Sequence, residues 1–138
     1  MATQNNPSNY AVAIQAGLIA AASPVPVYAS FNRNFAKEQK FITWNLRNVH
    51  QPVYTGQVQS IKGIDRPIFQ VNIYSGTLQD GFAIANNIIQ ALHGYSGQFG
   101  GIDGIYVSKI DVDFLYNSYD NEIGLYSIYL DCTMDIPA

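Results

Sequence analysis

Four aspartates near the end of the chain are the first residues whose type and spacing could do chemistry. Asp111 and Asp113 stand two apart and Asp131 and Asp135 four apart, and even separations place side chains on one face of a strand. Such a face could hold a hard cation such as Mg²⁺ or Ca²⁺ through oxygen ligands. No EF-hand loop surrounds these carboxylates, however, and Lys109 neutralises part of the cluster. The residues therefore read as an acidic face that is solvated or turned toward a partner, with no metal and no cofactor. His50 and His93 have no metal-ligand spacing with each other or with Cys132. A histidine at a helix C-terminus is accounted for by the helix dipole. No Ser-His-Asp, Cys-His or paired-carboxylate pattern stands out, so no enzyme is expected. The single cysteine excludes an intramolecular disulfide and reads as a small core residue.

Charge is distributed more tellingly than its sum. Arg33, Lys37, Lys40, Arg47, Lys62 and Arg66, against Glu38 and Asp65, leave residues 33–66 at +4. From Pro67 onward Lys109 faces eight acidic residues, leaving −7. The chain thus has a basic region and an acidic one. Ten tyrosines and seven phenylalanines could stack on bases, but the sheet they share is acidic, which opposes phosphate binding. Only 12% of the 138 residues are charged, about half of the ~25% usual for a soluble domain. A surface so poor in charge and rich in Tyr, Asn, Gln and Ser reads as future interface.

The elements that must position these charges centre on residues 66–94. Phe69, Val71 and Ile73 alternate with Gln70 and Asn72 as in a half-buried strand. After Ser75-Gly76 the period changes to about 3.6, with Leu78, Phe82, Ala85, Ile88, Ile89 and Leu92 on one helical face. Ser75 or Thr77 can cap the helix, Asp80 suits its positive end, and Gly94 is placed to end it.

Ahead of this unit, a first helix starts near Pro7 or Ser8 and runs to about Ala22, burying Ile14, Leu18 and Ala21; Pro24 and Pro26 stop it. Its apolar run superficially matches a secretion signal but lacks a preceding basic residue and is interrupted by Gln15, so the chain reads as soluble and unprocessed. A short strand over 25–31 and a second over 41–49 follow, the latter with Ile42, Trp44 and Leu46 on one face. The polar stretch 50–65, with Gly56 and Gly63, has no core signal and is expected to form a mobile arm. The glycine-dense 95–104 follows a helix and precedes a strand, the wrong order for a phosphate loop, and reads as a flexible turn.

The C-terminus reads as a hairpin of strands over 106–116 and 123–136 joined by the polar NSYDNE. Pairing Phe114 with Tyr126 and Val112 with Ile128 puts Lys109 opposite Asp131 and avoids facing aspartates, so that register is predicted. The expected fold is one α+β domain over 1–138: a largely antiparallel, mixed sheet with two helices on one face, in the order α-β-β-arm-β-α-β-β. The other sheet face, with Asn72, Asp111, Asp113, Tyr129 and Asp131, is expected to be polar and uncovered.

Pro24-Val25-Pro26-Val27-Tyr28 after a first helix, Gln70-Val71-Asn72-Ile73-Tyr74-Ser75, the helix end Ile88-Ile89-Gln90-Ala91-Leu92-His93-Gly94 and the closing strand pair resemble the tail-terminator, or tail-completion, proteins of long-tailed bacteriophages. The resemblance implies a small subunit of the virion's tail and neck region, assembled in the host cytoplasm. It implies a homohexameric ring on the finished tail tube that stops polymerisation and presents the head-tail joining surface. Its partners would be copies of itself, the tail tube protein and a head completion or connector protein, with passing contact with DNA in the lumen and no membrane. The residues support a ring independently, because opposite charges on two sides of a subunit favour head-to-tail contacts. In that reading Arg47, Lys62 and Arg66 of one subunit meet Asp111, Asp113, Asp131 or Asp135 of its neighbour. The alternatives are a head-completion or neck adaptor on the portal side, and a small-molecule-binding module or enzyme with a closed pocket.

Overall fold

The computed structural model describes residues 7–30, 39–50 and 66–137, with the side chains of 48–50 set aside. Lys62, the arm as far as residue 65 and most of the polar loop before the second strand lie outside the described residues. The elements are α1 (Pro7–Ala22), β1 (Val27–Ala29), β2 (Lys40–His50), β3 (Arg66–Ser75), α2 (Leu78–Leu92), β4 (Gly97–Phe99), β5 (Ile105–Val107), β6 (Lys109–Asp120) and β7 (Leu125–Asp135).

Five strands form one sheet in the order β1-β2-β3-β7-β6, so β3 is its centre. Only β1 and β2 run parallel; the other neighbours are antiparallel. The alternation in β3 sends Phe69, Val71, Ile73 and Ser75 into the core, level with Ile128, Leu130 and Cys132 of β7. Both helices close over this face, and Tyr10, Ile14 and Leu18 of α1 join Ile84, Ile88 and Leu92 of α2 in one hydrophobic cluster. The expected α+β class, mixed sheet and central strand-helix unit are all present.

Local chemistry sets the ends of α2. Thr77 is its N-cap and accepts a 3.2 Å hydrogen bond from the Asp80 amide. Gly94 takes φ +80° just beyond it, the left-handed conformation that favours glycine. That turn also stitches the helix exit to β6. The Gly94 amide donates to Ile110 O at 2.7 Å and the Ile110 amide to Tyr95 O at 3.1 Å. Next to them the Val112 amide donates to His93 Nδ1 at 3.0 Å.

Three expectations are corrected. The face of α2 is rolled: Gly81, Ile84, Ala85, Ile88 and Leu92 are buried, and Phe82 is 39% exposed. The cause is close approach, since a Cβ on Gly81 would meet Ile128 Cδ1 at 2.9 Å. Second, the glycine-dense segment is not only a turn. It holds β4 and the turn of the β4-β5 hairpin, which buries Phe99, Ile105 and Val107. Gly17 of α1 makes room for the Phe99 ring, because a Cβ there would lie 2.3 Å from Phe99 Cζ.

Third, the C-terminal hairpin is paired otherwise than charge alone dictated. Val112 faces Cys132, Lys109 faces Asp135, and Asp113 faces Asp131. The turn falls at 121–124, where Gly124 adopts φ +68° and the Glu122 amide donates to Asp120 Oδ1 at 2.9 Å. Leu115 is left without a cross-strand partner between Phe114 and Tyr116, a bulge in an edge strand. Two facing aspartates are tolerated because a cation reaches one of them from elsewhere in the sheet.

Candidate assembly interface

That cation is Arg47. It lies on β2 opposite the helices, and its Nη1 donates across β3 to Asp131 Oδ2 on β7. Arg66, at the start of β3, pairs through Nε with Asp135 Oδ1 at 3.2 Å. On β6, Lys109 Nζ lies 3.2 Å from Asp111 Oδ2. The sheet order β2-β3-β7-β6 thus gathers every described residue of the sequence-derived site onto one face: Arg47, Arg66, Asp111, Asp113, Asp131 and Asp135. Within one subunit it also joins two of the basic residues to two of the acidic ones. Asp113 stays exposed and, among the described residues, makes no ion pair. The Asp131 side chain is 18% exposed, and its Oδ1 is buried without a hydrogen-bond partner.

Along the strands this outer face is graded. Next to the charged end, Gln70 Nε2 donates to Asn72 Oδ1 at 2.8 Å and Asn72 Nδ2 to Thr43 Oγ1 at 3.2 Å. Hydrogen bonding explains why Asn72 and Thr43 are buried despite being polar. The far end is aromatic. Phe41 stacks on Tyr74 with ring centroids 4.8 Å apart, and Tyr116 lies 4.6 Å from Tyr129. Burial first, then the neighbouring Tyr129 and Asp120, push the Tyr74 phenol above its ordinary value, against a lowering hydrogen bond with Thr43.

Neither Cys132 nor His93 is poised for covalent chemistry. Cys132 is buried, and burial ahead of the charges of Asp131 and Asp113 pushes its thiol far up, away from the nucleophilic thiolate. His93 is engaged by the Val112 amide. Among the described residues no group of three or more His, Cys, Asp or Glu side chains could hold a metal ion, and no helix is long and apolar enough to cross a membrane.

Sequence reasoning placed the first strand near an edge, because Pro26 cannot donate to a ladder, but missed the apolar surfaces at the two sheet edges. At the β1 edge, α1 and β1 enclose an apolar groove of about 670 Å³ lined by Val12, Gln15, Ile19, Tyr28 and Trp44 among others. Gln15 shapes its floor, accepting from Trp44 Nε1 at 2.6 Å and donating to Val27 O at 2.9 Å. At the β6 edge, Phe114, Leu115, Tyr116 and Tyr119 remain exposed, and Phe82 of α2 stacks on Phe114 at 6.1 Å. The available signal was the unbroken run FLY at 114–116, which exceeds what an alternating strand needs.

No family model matches the sequence, and no curated protein matches it. Solved structures do. A chain in the virion of a native gene transfer agent particle superposes with TM-score 0.62 at 13% identity, covering 92% of each chain. The PVC sheath/tube terminator of an extracellular contractile injection system, in its extended state, superposes with TM-score 0.56 at 9% identity. This chain shares its fold with a tube terminator. The match covers 96% of this chain and 57% of the terminator, whose remaining length has no counterpart here. At these identities the likeness is one of fold, and the fold is the one implied by the sequence resemblance.

Proposed function

We propose that this chain is a structural virion protein that caps the end of a tail tube as a ring, stops its polymerisation and forms the head-tail joining surface. The observation that carries this reading is the superposition of nearly the whole domain on a sheath/tube terminator. The second likeness, to a virion component, supports the same setting. A structural role rather than a catalytic one is supported by how the polar groups are used. All the described site charges of the outer face but Asp113 are held in ion pairs, the histidine serves the backbone, and the thiol is sealed in the core.

In this reading copies of the chain assemble into a homohexamer that contacts the tail tube protein on one side and a head completion or connector protein on the other. DNA passing through the lumen is a transient neighbour. The outer face, carrying Arg47, Arg66, Asp111, Asp113, Asp131 and Asp135, contributes charge to subunit contacts, and Lys62 is proposed to join them. With Arg47 and Arg66 engaged at home, Asp113 is the acidic group most open to a neighbour's cation.

The test is a tube-assembly reaction. Adding the purified chain to polymerising tail tube protein should shorten the tubes in proportion to dose, and gold-labelled chain should sit at one tube end by electron microscopy. Label on the portal side with unchanged tube lengths would replace this reading with that of a neck adaptor.

A further inference from the structure

Among the described residues, apart from Ile102 and Tyr106 of the small hairpin, the large apolar side chains left exposed cluster at the two opposite edges of the five-stranded sheet. One cluster is concave: Val12 and Ile19, 53% and 49% exposed, rim the groove between α1 and β1. The other is a ridge: Phe82, Phe114, Leu115, Tyr116 and Tyr119 along α2 and the distal half of β6. The groove lining carries no charged residue, and the ridge is flanked by Asp113 and Asp120. We infer that the ridge of one copy seats in the groove of the next, so that the chain associates with itself head to tail through its two sheet edges.

The occupant is a second copy because this chain supplies both halves of the contact. A copy that offers its ridge keeps its groove free, which makes the contact heterologous and able to propagate or to close into a ring. Area agrees. At about 200 Å² for a fully exposed large side chain, the five ridge residues present roughly 450 Å². That is about half of the ~800 Å² per partner in a stable interface, leaving a polar rim to complete it. Charge is a weaker candidate for the same contact, since Arg47 and Arg66 already hold Asp131 and Asp135 within the subunit.

The edges also determine how the copies meet. Strand addition is obstructed at part of each edge. Gln15 occupies the carbonyl of Val27 on β1, and the exit of α2 occupies Ile110 and Val112 on β6. Beyond Val112 the bulge at Leu115 breaks the regular ladder. Side-chain insertion is the mode these edges favour, with Leu115 and Tyr116 as the anchors and the Trp44 wall as their receptor.

This inference rests on the reading of the chain as a ring subunit, and the test separates the two. Wild type, Leu115→Asp and Ile19→Asp are compared by sedimentation up to about 1 mM, where even a ~4 kcal/mol contact is half formed. Each substituted residue is about half exposed, so the fold should survive, and Tyr116→Asp and Val12→Asp repeat the measurement from neighbouring positions. Either substitution should weaken association roughly thirtyfold, the loss of one buried anchor. An equimolar mixture of the ridge and groove variants should form dimers and nothing larger, because only one intact ridge-groove pair survives. Ile19→Asp associating as well as wild type, or wild type remaining monomeric throughout, would overturn the proposal. A monomeric wild type that still shortens tubes would sink this contact and leave the capping role standing. Ridge-groove association by a chain that ignores tubes would do the reverse.

Discussion

Arg47 on β2 holds the carboxylate of Asp131 on β7, reaching over the whole width of β3 to a residue 84 positions along the chain. The same carboxylate faces Asp113 on β6. Asp131 is thus flanked by one like and one opposite charge, and the opposite one makes the register tolerable. Arg47→Ala should lower stability by about 1–3 kcal/mol, because a largely buried carboxylate loses its charged donor. Adding Asp113→Asn should recover part of that loss. Urea midpoints for the two single variants and the double variant measure the coupling; strict additivity would mean that the two aspartates do not sense each other.

Asp113 gives a direct test of whether charge on the outer face contributes to assembly. Asp113→Lys and Lys62→Glu should each weaken assembly, and the double reversal should partly restore it, as read by native mass spectrometry of the assembled species. Surface pairs contribute about 0–1 kcal/mol each. The single effects should therefore be a few-fold and should shrink as salt rises. An unrescued double variant would remove charge pairing from the contact.

Gly17 is the point where α1 meets the β4-β5 hairpin. Alanine is the better helix former by ~1 kcal/mol, yet Gly17→Ala should destabilise by about 1–3 kcal/mol, because its Cβ overpacks against the buried Phe99 ring. Combining it with Phe99→Leu should cost less than the sum of the two single changes. A more stable Gly17→Ala would show that the hairpin yields freely.

Alkaline pH should expose Cys132. Its thiol is held far above its ordinary value of 9.0, first by burial and then by Asp131 and Asp113. In the unfolded chain the thiol ionises near ~8.5. Above that pH the unfolded state binds fewer protons than the folded one, so stability falls as pH rises, by up to about 1.4 kcal/mol per pH unit. The contribution is fully present below the unfolded value. Tyr74 is shifted in the same direction from 10.0, so the window from about pH 8.5 to 9.5 isolates the thiol. Urea unfolding across that window should show a shallower decline for Cys132→Ala than for wild type; equal slopes would contradict the assignment.

What could be read in the sequence was whatever local periodicity and capping control. The change of period at Ser75-Gly76 located both β3 and α2, and Thr77 and Gly94 marked the helix ends. Expectations failed where a distant partner decided. The roll of α2 depends on Ile128 sliding against Gly81, and the β4-β5 hairpin depends on a gap left at Gly17 eighty residues earlier. The hairpin register was set by its turn around Gly124 and made tolerable by Arg47, which no pairwise comparison of β6 with β7 includes. The site behaved likewise. Its residues were identified by charge, but which of them pair at home follows only from the strand order β2-β3-β7-β6.

Gln15 has a consequence for the life of the chain before assembly. By holding the Val27 carbonyl it takes away a hydrogen-bonding foothold on β1, while the helix exit and the Leu115 bulge do the same along β6. Exposed strand edges are how β-rich proteins stack irreversibly into cross-β fibres. On the proposed reading the chain must persist unassembled until a tube is finished, and a single glutamine amide on the first helix helps it to do so.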